Sequence, residues 1–316
     1  MAANHEQSID PEVQIHPSDY LNLARNLLQK FIIRRLNCNQ SGEEKVPDYE
    51  ISKPVGKEKV SVRDERIIYQ VKQKIPSLQK ILNEAIESIK RTSPQVLARE
   101  YIKAHFSECV TTLEPKAFEI YLDYEEKAFL SAIDIWISQN ESTIRGISEK
   151  GLPSSDFAKE VIKLFYPLVQ RLEFESGQTR KARGGRTFEL VIEYLLGKVG
   201  IPCQKPEGKQ PRAILKRVDL VIPGQMTAIE CPDKAFFLSC KRTLRERWKQ
   251  TIPERKPSWR VFLLTQDEDL PEDKAKEIDQ LGMIVYVRDE LKSKGYLAKK
   301  PWVRKLSHLP KDLSLP

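Results

Sequence analysis

The chain has 316 residues, 40% of them hydrophobic and 31% charged, enough for one large or two ordinary domains that bury a real core. No apolar run approaches the roughly 20 residues that span a bilayer, and MAANHEQSIDPEVQ has no basic region followed by an apolar stretch, so a cytoplasmic protein without a leader is expected. Lys plus Arg number 53 against 45 Asp plus Glu, a formal net charge of +8, which suits a polyanionic partner, nucleic acid first.

The first part reads as helical. Residues 17–37 place Leu21, Leu23, Leu27, Leu28, Phe31 and Ile32 near helical spacing, with Ser18 as a candidate N-cap. Residues 40–62 are polar, carry Gly42, Pro47, Pro54 and Gly56, and read as a linker. Residues 62–92 follow a helical pattern interrupted at Pro76. Two or three helices are expected over 94–140, a connection over 141–155, and a further helix from Asp156 to Glu173.

The texture changes after Glu175. SGQTRKARGGR (176–186) is basic and Gly-rich, and reads as a lead into an amphipathic helix over 187–200. RVDLVIP (217–223) and KAFFLSC (234–240) read as strands joined through a PGQ turn. RTLRERWKQTI (242–252) is a helix candidate, followed by a strand at 260–265, a helix at 271–282 and a strand at 283–287. This alternation predicts an α/β layer with a mixed sheet. The expected organisation is a helical region over 1–175 and an α/β core over 176–316.

Several chemistries lack a signature. The five cysteines (38, 109, 203, 231, 240) form no C-x-x-C pair, and the four histidines are scattered, so no zinc knuckle, redox motif or histidine-metal site is expected. Neither G-x-G-x-x-G nor a P-loop occurs.

What remains is an acid and a lysine on neighbouring strands. Asp219 lies in RVDLVIP, and Lys241 follows FLSC 22 positions later. An antiparallel pair would bring both to one edge. There Asp219 can ligate Mg²⁺, a cation that favours carboxylate oxygen, and Lys241 can orient water or stabilise charge on a phosphate. Glu189 and Glu193 sit one helical turn apart and can face the sheet together, while Glu254 follows Lys241 by thirteen residues.

This arrangement resembles the PD-(D/E)XK nuclease core. It departs from the literal pattern, because Val218 stands in the proline position and Ser239 in that of the second acid. A literal Pro232-Asp233 lies only eight residues before Lys241, in an expected turn, and is read as a decoy. SCKRTLRERWKQ (239–250) further resembles the catalytic and recognition segment of the CCGG family of type II restriction endonucleases, which includes the EcoRII catalytic domain and cutters of CCNGG-type sites. That family often displaces the second acid, leaving Ser or Thr before the lysine and a glutamate on the following helix. The resemblance therefore implies that Ser239 holds the vacated position and Glu254 the replacement. RKARGGRTFE (180–189) is similar to the family's basic lead into its first core helix, which makes Glu189 the helix glutamate. The likeness spans roughly residues 176–290.

It implies a PD-(D/E)XK core with a mixed sheet flanked by helices, and Mg²⁺ held by Asp219, Glu254 and Glu189. It also implies double-stranded DNA as substrate, a homodimer on a palindrome, a cognate methyltransferase, and flipping of central bases at CCNGG sites. Arg245, Glu246 and Arg247 suit adjacent G·C pairs independently: arginine donates twice to guanine O6 and N7, and glutamate accepts from cytosine N4. Residues 176–220 carry ten Lys/Arg against four Asp/Glu, and 241–260 eight against two, a footprint for phosphates. Trp136, Trp248 and Cys240 read as packing residues. Trp259, Trp302 and the basic stretch 292–305 stay open between packing or solvation and DNA contact. Two other functions stay open: a repair or structure-specific nuclease of the same fold, and a non-catalytic DNA-binding regulator.

Overall fold

The computed structural model describes residues 19–41, 62–216, 218–244 and 259–314. The chain forms two compact units, each discontinuous in sequence. The first comprises residues up to Pro76 together with Tyr121–Thr179, and the second Ser77–Ile120 together with Arg180–Pro316.

Three helices open the chain: α1 (Tyr20–Ser41), α2 (Val62–Lys74) and α3 (Leu78–Thr92). Pro76 separates α2 from α3, since proline supplies no N–H and holds its predecessor out of the helical region. Ser77 then caps α3 by accepting the Lys80 N–H at 3.3 Å. The short α4 (Arg99–Ala104) leads into two long helices, α5 (Phe106–Ser148) and α6 (Ser154–Lys198). The unit boundaries fall inside these two, at Ile120/Tyr121 and Thr179/Arg180.

The continuity of α5 and α6 corrects the sequence reading twice. The connection expected over 141–155 is helical as far as Ser148, because Ile144 and Ile147 stay in phase with the buried face. The Gly-rich lead at 176–186 is likewise helix. A glycine costs a helix about 1 kcal/mol against alanine. Here Gly177, Gly184 and Gly185 are bracketed by buried Leu172 on one side and by Phe188, Val191 and Ile192 on the other. Packing on both flanks outweighs three weak positions. The first unit's core gathers apolar stripes of α1 and α2 with the 128–172 stretch, and Trp136 meets Phe165 edge to face at 5.0 Å.

The second unit contains a five-stranded sheet in sequential order: β1 (Leu220–Ile222), β2 (Phe236–Lys241), β3 (Arg260–Thr265), β4 (Ile284–Val287) and β5 (Val303–Lys305). β1 pairs antiparallel with β2, and the other neighbours pair parallel. The mixed sheet is therefore as the alternation of elements implied. Between β2 and β4, β3 is fully apolar at Phe262, Leu263 and Leu264, as expected of a strand covered on both faces. Phe237 stacks on Trp259 at 4.3 Å, which places Trp259 in the core.

The β1–β2 connection is wider than the expected turn. After Pro223, residues Gln225–Glu230 form α8 and Pro232–Lys234 a 3₁₀ turn. α7 (Lys209–Ile214) precedes β1. Beyond β3 come α9 (Glu272–Gln280), α10 (Asp289–Lys292) and α11 (Leu309–Leu313). The stretch 292–305 is built in rather than trailing. Lys292 Nζ donates to the carbonyls of Leu297, Ala298 and Lys300 at 2.6, 3.0 and 2.9 Å, and Trp302 Nε1 donates to Ala275 O at 3.1 Å.

A methyl group at Gly177 would meet nothing within 4 Å. Gly177→Ala is therefore expected to raise the unfolding free energy by about 0.5–1 kcal/mol in denaturant titration; a loss of stability would show that the helix is not continuous there.

Candidate active site at the β1–β2 edge

Antiparallel pairing sets the site. Leu220 stands opposite Leu238, so Asp219, just before β1, lies beside the end of β2. Its backbone N–H donates to Leu238 O at 3.0 Å. Its carboxylate Oδ2 then accepts two hydrogen bonds, from the Cys240 N–H at 2.7 Å and from Lys241 Nζ at 2.6 Å. The sequence reading that an acid and a lysine meet at one strand edge corresponds to this contact.

The pair is sheltered, with side-chain exposures of 18% for Asp219 and 25% for Lys241. Burial pushes the Asp219 carboxyl above the usual carboxylate range. The Lys241 ammonium pulls it back, the charge of Glu189 raises it again, and the hydrogen bonds from Lys241 and Cys240 lower it. Glu189, on α6, is thus within electrostatic reach of Asp219. It accepts hydrogen bonds from Arg186 Nη1 and from Lys205 Nζ, the latter at 2.9 Å. One turn later Glu193 is half-buried, and burial raises its carboxyl against the opposing charges of Arg186 and Lys205.

Ser239 shares a strand face with Lys241, two residues away. It is 2% exposed, and its hydroxyl has no hydrogen-bond partner among the described residues. An unsatisfied buried hydroxyl costs about 1–3 kcal/mol. Cys240, on the opposite face, is buried and its thiol is held well above the ordinary range, chiefly by desolvation, which disfavours the nucleophilic thiolate. Pro232-Asp233 occupies the 3₁₀ turn before β2, at the opposite end of that strand from Lys241. Glu254, Trp248 and the triplet Arg245, Glu246 and Arg247 lie outside the described residues, as does most of the helix expected over 242–252.

Among the described residues no group of three or more His, Cys, Asp or Glu is placed to hold a metal ion. Two of the three carboxylates expected to do so, Asp219 and Glu189, are close enough to influence each other's charge. Asp219 Oδ1 accepts no hydrogen bond from a described residue. A pair of hard oxygen donors with mutually unfavourable charge fits a hard divalent cation.

Two features were not singled out from the sequence. Lys205 lies in an irregular connection with no motif, and only the fold brings it to Glu189. Arg242, adjacent to Lys241, pairs with Glu114 of α5 at 3.0 Å, a separation of well over a hundred residues.

Because Lys241 is the largest influence lowering the Asp219 carboxyl, Lys241→Met is expected to move it further up. A carboxyl-resolved NMR titration of the metal-free protein checks this; an unchanged or lower midpoint would contradict the pair.

Residues 162–309 match the family model described as EcoRII C terminal. The type II restriction enzyme SsoII of Shigella sonnei is 33% identical over 140 residues, which cover 42% of this chain and 46% of that enzyme. The match thus spans about half the length of that curated relative. Among solved structures, metal-depleted Ecl18kI in complex with uncleaved, modified DNA superposes with a TM-score of 0.66 at 19% identity, covering 79% of this chain and 82% of that one. The PspGI restriction endonuclease–substrate DNA complex gives 0.53 at 22% identity, covering 77% and 93%. These likenesses establish the restriction-endonuclease fold. The stretch similar to the EcoRII C-terminal model, residues 162–309, holds Asp219, Lys241 and Glu189.

Proposed function

We propose that this protein is a type II restriction endonuclease that hydrolyses phosphodiester bonds of double-stranded DNA, with Mg²⁺, at a palindrome with a CCGG or CCNGG core. The observation that carries the reading is the Asp219–Lys241 pair, 2.6 Å apart where β1 begins and β2 ends. The 33% identity to SsoII supports it.

Asp219, Glu189 and Glu254 are assigned as metal ligands. A bound divalent ion supplies charge to the phosphate and acidifies water at neutral pH. Lys241 orients the attacking water and offsets negative charge that grows on the phosphoryl oxygens. Its carboxylate partner holds it in place, and the Cys240 N–H holds the carboxylate. Ser239 leaves the strand position beside Lys241 without charge, and the resemblance to the CCGG family gives the second acidic role to Glu254. Arg245, Glu246 and Arg247 are assigned to reading adjacent G·C pairs. A palindrome presents two equivalent scissile bonds, so a homodimer is assigned. A methyltransferase protecting the same site in a bacterial or archaeal cytoplasm completes the system. The region before residue 176 is assigned to dimer formation, DNA clamping or regulation.

Digestion of plasmid DNA with Mg²⁺, followed by sequencing of the ends, is expected to give discrete fragments that share one short site. A smear without fixed ends would overturn site-specific cleavage. Lys241→Ala is expected to abolish cutting and keep much of the DNA affinity; an active variant would remove Lys241 from the chemistry. Glu246→Ala is expected to lose discrimination at one cytosine by about 1–3 kcal/mol, read as the ratio of affinities for the cognate duplex and a duplex changed at that base pair.

A further inference from the structure

Arg242 follows Lys241 directly and is held from three directions within the second unit. Its Nε lies 3.0 Å from Oε1 of Glu114, a carboxylate only 5% exposed on α5. The contact is an ion pair rather than an aligned hydrogen bond. The guanidinium carbon sits 5.3 Å from the ring centre of Phe118, one turn further along α5. Gly184 of α6 lies beneath it: a Cβ there would stand 3.5 Å from Nη1 and 3.8 Å from Cδ. The carbonyl of Arg242 accepts from Thr265 Oγ1 at 3.4 Å.

For all this fixation the side chain stays 41% exposed, and its terminal nitrogens hydrogen-bond to no described residue. The Glu114 contact engages only the Nε edge of the guanidinium and leaves the side chain partly open to solvent. The arrangement suits a guanidinium held ready for an external anion. Its planar fork matches a phosphate in two parallel hydrogen bonds, and prior fixation reduces the entropy lost on binding.

We propose that Arg242 contacts a backbone phosphate of the DNA strand held at Lys241, with Glu114 as the positioning residue that orients its guanidinium. The proposal rests on the DNA-cleaving reading above and adds a residue to it. A phosphate contact carries no base information, so Arg242 contributes to affinity equally on every sequence.

The test is metal-free binding of two duplexes of equal length, one containing CCNGG and one scrambled, across a range of salt concentrations. Arg242→Ala is expected to weaken both duplexes alike and to flatten the dependence of log affinity on log salt by about 0.9. Arg242→Gln preserves the side chain's bulk against Phe118 and is expected to give the same flattening, which covers the case in which the alanine variant does not fold. Glu114→Gln is expected to weaken both duplexes while keeping the wild-type slope, because the arginine charge remains; Glu114→Asp is expected to recover part of the loss. An unchanged slope in the Arg242→Gln protein, with wild-type binding intact, would overturn this proposal alone and leave the Glu114–Arg242 pair as structural. Wild-type protein that bound neither duplex would overturn the DNA reading itself.

Discussion

The candidate site depends on how one sheltered carboxylate, that of Asp219, is met by hydrogen-bond donors. Its Oδ2 accepts from the Cys240 N–H and from Lys241 Nζ, and both donors come from the last two residues of β2. A buried carboxylate without such partners would take up a proton. The contact requires β1 and β2 to run antiparallel in the observed register, because slipping by one residue would turn Lys241 to the other face. That register is fixed elsewhere, by Leu220, Val221 and Ile222 packing against Phe236, Phe237 and Leu238, all buried. Apolar side chains thus set the geometry, and the polar pair takes advantage of it.

The same solution recurs around the sheet. Glu189 is met by Arg186 and Lys205, and Glu114 by Arg242. Each acid lies on a helix or strand end, and each cation comes from a different turn or a different element. In a low-dielectric setting such pairs offset desolvation without adding much stability. Their value lies elsewhere: they gather oxygen donors and cationic side chains near one strand end without a net charge that would drive the elements apart. Burial and the neighbouring Glu189 both raise the Asp219 carboxyl, while Lys241 and the Cys240 N–H lower it. Added positive charge beside Asp219 would act in the same direction as Lys241.

Legibility in the sequence followed the range of the determining interaction. Strands β2, β3 and β4 and helix α9 were readable because their apolar pattern is local, and the meeting of Asp219 with Lys241 followed from two strands and their order. Helix α6 was misread across Gly177, Gly184 and Gly185 because propensity is local, whereas what keeps those residues helical is burial before and after them. The short β5 had too few residues to show a period. Lys205 and Glu114 were invisible as site residues, because the contacts that give them meaning join positions far apart in the chain. Ser239 was readable only through family resemblance; nothing in a lone serine announces a missing acid, although its hydroxyl has no partner among the described residues.

Charge shows the difference most sharply. Counting ten Lys/Arg against four acids over 176–220 treats all of them as an outward footprint. The fold divides them. Arg186 and Lys205 are committed to Glu189, and Lys241 further along to Asp219, so their fields are largely spent on neighbours. Lys209 and Arg212 of α7 are exposed, as is Lys181 of α6. Long-range attraction of a polyanion falls to such exposed cations, while the paired ones act only at contact distance. A basic sequence therefore contains two populations, one that attracts a polyanion at long range and one that offsets neighbouring acids, and only the fold tells them apart.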